Sequence, residues 1–99
     1  MHPETVPRLR NAGVPGDGGS HVRHLPGTAL DSRRLYDGIT LGGNKLKDSP
    51  DFSLTRMSDG TFVTYRSAGK VPNKTTGISP PTIEINVGGT GDMIKLKCL

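Results

Sequence analysis

The sequence predicts an α+β domain: a short N-terminal helix packed on a small twisted antiparallel sheet of about four strands. Three observations predict it. One stretch, residues 32–41, carries apolar residues at helical spacing. Four later stretches read as short strands divided by turn residues. Strands so near in sequence pair antiparallel, and the helix then covers one sheet face.

Residues 1–27, MHPETVPRLRNAGVPGDGGSHVRHLPG, hold four prolines and repeated glycines without apolar periodicity. That composition predicts a flexible linker or arm, with the compact domain spanning 28–99. Next comes DSRRLYDGITLGG, where Leu35 and Ile39 recur four residues apart, with Leu30 and Leu41 at the margins. Asp31 or Ser32 can cap this helix, and Gly42 with Gly43 stops it. Residues 52–57 and 61–66 flank SDG, a tight-hairpin signal. TIEINV sends Ile83, Ile85 and Val87 one way and Thr82, Glu84 and Asn86 the other; MIKLKC opposes Ile94, Leu96 and Cys98 to Met93, Lys95 and Lys97. Gly88, Gly89 and Gly91 turn the chain between these two runs.

The helix leaves one face uncovered. If the isoleucines point inward, Thr82, Glu84, Asn86, Lys95 and Lys97 share the open side. Between the strands ending at Arg66 and beginning at Thr82, residues 67–80 form a long segment without regular pattern. A connection of that length is disordered or functional.

Ninety-nine residues, 31% hydrophobic and 4% aromatic, allow a single domain with a thin core. One cysteine, Cys98, rules out an internal disulfide, no Cys/His spacing suggests a structural zinc, the HVRH pair that could serve a metal has no carboxylate nearby, and no cofactor motif occurs. Nothing reads as a signal peptide or membrane span. The net charge of +4 and a pI near 9.6 suit a polyanionic partner, nucleic acid or an acidic protein, and equally suit plain solubility.

RNA cleavage without metal needs a base for the ribose 2′-hydroxyl, an acid for the leaving 5′-oxygen, and cations for the phosphate. The residue types present are Glu84, His21, His24, Arg66, Lys70, Lys74, Lys95 and Lys97. Each has an ordinary reading beside the chemical one. Glu84, the single acid between Thr61 and Val87, can simply pair across strands with Lys95 or Lys97. Arg66 can be an exposed strand end, and Lys70 and Lys74 can be solvated loop cations. His21 and His24, in HVRH, can be incidental; imidazole nevertheless suits proton transfer near neutrality. Tyr36 and Tyr65 can stack on bases, yet so few aromatics are needed in the core.

At RRLYDGITLGGNKLKD, SDGTFVTYRS and PPTIEINVGG, over about residues 25–97, the chain resembles the C-terminal toxin modules of bacterial polymorphic and contact-dependent toxin systems. The resemblance implies the fold group of barnase-like and colicin-type ribonucleases. It also implies a larger parent toxin on the N-terminal side, secreted or surface delivery, action in a target-cell cytoplasm, and a cognate acidic immunity protein. Carry-over is limited to Arg66, Ser79, Thr82 and Glu84. The segment VPNKTTGISPP departs from the pattern in being longer and more basic.

The expectation is therefore a ribonuclease toxin domain acting on RNA, with tRNA one candidate substrate. Catalysis would fall to His24, Arg66, Thr82 and Glu84, with His24 or Glu84 as base or acid. Lys70, Lys74, Ser79, Lys95 and Lys97 would hold substrate, residues 67–80 serving as its loop. The alternative is a non-catalytic basic module that binds nucleic acid or an acidic protein.

Overall fold

A computed structural model of the chain describes residues 5–16, 21–67, 80–89 and 91–98. It corrects the expected architecture. In place of one helix on four antiparallel strands, there is a single mixed sheet of seven strands with two short helices. In chain order these are α1 (Thr5–Arg10), β1 (Val14–Pro15), β2 (Val22–Leu25), α2 (Ala29–Ile39), β3 (Asn44–Asp48), β4 (Phe52–Arg56), β5 (Phe62–Arg66), β6 (Thr82–Asn86) and β7 (Met93–Cys98). Their order across the sheet is β1-β2-β7-β6-β5-β4-β3. Every neighbouring pair is antiparallel except β2 and β7, which run parallel.

Three strands account for the difference, and each lacks a local signature. β1 is two residues long and ends in Pro15. β2 takes its partner from β7, about seventy residues on by the pairing of Val22 with Lys95. β3 exposes all five residues, so no alternation marks it, and its register slips at Leu46. The stretch read as an arm thus contributes α1, β1 and β2.

The core lies between the helices and one sheet face. Val63, Ile83, Ile85, Ile94 and Leu96 are buried there with Tyr36, Tyr65, Leu9 and Met57. Burying each aliphatic side chain contributes about 1.5–3 kcal/mol. α2 reaches this face through Leu35, Tyr36 and Ile39, and α1 through Leu9. The Tyr36 hydroxyl is satisfied by Thr55 Oγ1 at 2.6 Å.

The cap of α2 is Thr28, not Asp31 or Ser32. Asp31 N donates to Thr28 Oγ1 at 3.2 Å, and Thr28 N donates to Asp31 Oδ2 at 2.9 Å. TALD is therefore a capping box with aspartate in the third helical position. The far end closes as Thr40 N donates to Tyr36 O, and Gly42 turns the chain at φ +80°.

Arg33, on α2, joins the helix to the β3–β4 hairpin. Its guanidinium donates to Asp48 Oδ1 and to Ser53 Oγ, each at 2.7 Å. It also lies 5.3 Å from the ring centres of both Tyr36 and Tyr65. The hydrogen bond from Arg33, more than any other influence, holds the Asp48 carboxyl below the usual carboxylate range.

Candidate functional site

Residues paired across neighbouring strands point to the same face, so the register specifies what the side turned away from α1 and α2 displays. One row runs His24, Lys97, Thr82, Arg66, Phe52. The next runs Val22, Lys95, Glu84, Thr64, Leu54, Lys47. A third runs Met93, Asn86, Phe62, Arg56, Asn44. His24, Arg66, Thr82, Glu84, Lys95 and Lys97 thus share one face. Lys70, Lys74 and Ser79 lie outside the described residues, as does most of segment 67–80.

Glu84 sits near the middle of this face and is half-buried. Its Oε2 accepts from Arg66 Nη1 at 3.3 Å. Its Oε1 is 3.5 Å from Asn86 Nδ2. The cross-strand partner expected for Glu84 was Lys95 or Lys97, and the ion pair forms with Arg66 instead. Lys95 stands directly opposite Glu84 in register, yet neither Lys95 nor Lys97 forms an ion pair with another described residue. Both ammonium groups therefore add positive potential to the centre of the face.

Arg66 is partly exposed and leans over the Phe52 ring, 5.7 Å from its centre. A guanidinium held on one side by a carboxylate and on another by a ring keeps a fixed orientation with donors left over. Thr82 Oγ1 donates to Pro80 O at 2.9 Å, so its proton is engaged while its lone pairs remain.

His24 comes from the stretch read as an arm. The parallel β2–β7 pairing sets it beside Lys97, two strands from Thr82, about 10 Å at the usual strand spacing. Its ring leans over Gly16, where a Cβ would fall 2.7 Å from both Nε2 and Cδ2. None of the side-chain hydrogen bonds among the described residues joins His24 to Glu84 or Arg66. His21 is exposed; its carbonyl oxygen accepts from Lys95 N at 2.8 Å and so fastens β2 to β7.

Among the members of this face that sequence reasoning missed are Lys47, Phe52, Arg56 and Phe62. The signal was present, since Phe62 and Thr64 share the parity of Arg66 along one strand.

The other face offers a cleft of about 740 Å³ between α1 and the C-terminal end of α2, bordered by Leu9, Arg34, Leu35, Ile39 and Met57. It is a seam between helices, with the sheet separating it from Glu84. Among the described residues no group of three or more His, Cys, Asp or Glu side chains could hold a metal ion. No described helix is long and apolar enough to cross a membrane.

A scan against protein-family models found no match, nor did searches of curated proteins and of solved structures. What the chain does must be read from its residues.

Proposed function

We propose that the chain is a metal-independent ribonuclease toxin domain whose active centre is the sheet face turned away from the two helices. One observation carries the reading. A carboxylate, Glu84, is held 3.3 Å from an arginine, Arg66, on a face that also bears His24, Thr82, Lys95 and Lys97. This set contains a base, an acid and phosphate-binding cations.

Glu84 takes the proton of the ribose 2′-hydroxyl, and the freed oxygen attacks the neighbouring phosphorus. The bond from phosphorus to the 5′-oxygen breaks, leaving a cyclic phosphate. His24 gives a proton to the departing 5′-oxygen. Arg66 bonds the phosphate oxygens, while Lys95 and Lys97 offset the charge that accumulates on them. The resemblance in motif order supports delivery by a larger toxin on the N-terminal side, with action in the target-cell cytoplasm. The +4 charge suits both RNA and an acidic immunity protein.

The test is a gel of RNA incubated with purified protein in excess EDTA. Wild-type protein is expected to cleave, and Glu84→Gln to lose about 10²- to 10⁴-fold in rate, the usual contribution of a positioned base. Arg66→Ala should lose activity as well. Intact RNA with the wild type ends the reading. Undiminished cleavage by Arg66→Ala removes Arg66 from it.

A second reading, a basic module that binds nucleic acid or an acidic protein without turnover, is favoured by one feature. Glu84 is already engaged by Arg66 and lacks a hydrogen bond to His24. That reading expects salt-sensitive binding with the RNA recovered whole.

A further inference from the structure

The chain has four aromatic residues, and it distributes them against their polarity. Tyr36 and Tyr65, which carry hydroxyls, are 0% and 3% exposed in the core; Phe62, wholly apolar, is 38% exposed. Phe52 is half-buried on the same face, the one turned away from the helices. Burial alone would favour the reverse assignment, because a buried hydroxyl demands a partner and a phenyl ring does not.

Cations accompany both rings. Lys47 Nζ lies 5.3 Å from the centre of Phe52, and the Arg66 guanidinium 5.7 Å from it. The Arg56 guanidinium lies 6.0 Å from the centre of Phe62. Phe52 pairs with Arg66 at one end of the β4–β5 ladder, and Phe62 with Arg56 at the other. The rings stand about 14 Å apart by strand geometry, with Thr64 and neighbouring Glu84 in the row between their rows. Unpaired bases stack on phenyl rings and on guanidinium planes, and the phosphates between them seek cations.

We infer that Phe52 and Phe62, with Lys47, Arg56 and Arg66, form a stacking platform for unpaired nucleotides of single-stranded RNA on either side of Glu84. The inference deepens the proposed function and rests on that reading in one respect, that RNA is what the face meets. A duplex hides its bases within its own stack, so the platform selects single strands. Backbone charge is met along the face by Lys95 and Lys97, giving the complementarity that a polyanion requires.

The experiment is fluorescence anisotropy with full-length chain and a short labelled oligonucleotide made of 2′-O-methyl RNA, which lacks the attacking hydroxyl and stays intact. Phe52→Ala and Phe62→Ala should each weaken binding roughly five- to hundredfold, the range for losing one stacked base. Phe62→Leu keeps the apolar contact without the ring and should weaken binding with little change in melting temperature. Phe62→Trp should keep the affinity, and because the chain has no other tryptophan, its emission should fall as the oligonucleotide binds.

Absence of oligonucleotide binding by the wild type overturns the platform. So does equal affinity for a duplex of the same composition, or wild-type affinity in Phe52→Ala and Phe62→Ala. Ring-dependent binding with unmodified RNA left whole keeps the platform and removes the nuclease. Cleavage with ring-independent binding does the opposite.

Discussion

At the scale of single residues, His24 is the group whose contribution turns on its surroundings. Its ring fills the space over Gly16, with Val22 Cγ1 2.9 Å from where a Cβ would stand. Gly16→Ala would swing the imidazole aside, since the far end of a side chain yields more readily than a buried valine. If His24 protonates the leaving group, this substitution should reduce RNA cleavage while shifting the melting temperature little. The His24 ring resonances in NMR would move in the same variant. Unchanged cleavage with moved resonances would show that His24 takes no part. Glu84 presents a simpler case, because Arg66 holds one of its carboxylate oxygens in place. A single partly exposed pair with a 3.3 Å contact adds about 1 kcal/mol or less to stability, so substitutions there should be read chiefly in activity.

Among the elements, α2 shows how local chemistry sets a boundary. Its first turn is closed by the reciprocal bonds of Thr28 and Asp31, and Thr28→Ala should cost about 1 kcal/mol. In a domain of this size that lowers the melting temperature by about 4–8 °C; differential scanning calorimetry would measure it. Asp31 offers itself as a cap beside Ser32 in the sequence because aspartate caps helices as well as closing the box. The strands β4 to β7 and the inward set of Ile83, Ile85, Ile94 and Leu96 were legible because alternation with period two is written in the residues themselves. The polar face containing Thr82, Glu84, Lys95 and Lys97 followed from the same alternation. What was not legible depends on distance. β3, with five exposed residues, is held by pairing with β4 and has no apolar period. β2 is recruited by a parallel partner far along the chain, and so His24 could not be assigned to the face beforehand. α1, six residues with one buried side chain, carries too little pattern to announce itself.

For the molecule as a whole, three carboxylates among the described residues contribute to the response to acid. Asp31 is held low mainly by the Thr28 backbone N–H, Asp48 by Arg33, and Asp59 by the Thr61 backbone N–H. A carboxyl with a lowered folded-state pKa stabilises the fold above its unfolded value. That stabilisation drains away as pH falls from the ordinary range, near 3.9, through the lower folded value. Melting temperature should therefore fall as pH drops below about 4. Asp48→Asn should melt lower at neutral pH and show a shallower acid slope; identical slopes in a pH series would contradict the assignment. The sheet also has a keystone. β7 lies between β2 and β6, joined to one in parallel and to the other in antiparallel fashion, though it follows every other strand in sequence. Until it arrives, β1 and β2 have no flank to zip onto, and the ribbon from β3 to β6 ends in an unclosed border at β6. Deleting residues 93–98 would not trim the molecule but split it, detaching His24 from the face that carries Arg66 and Glu84.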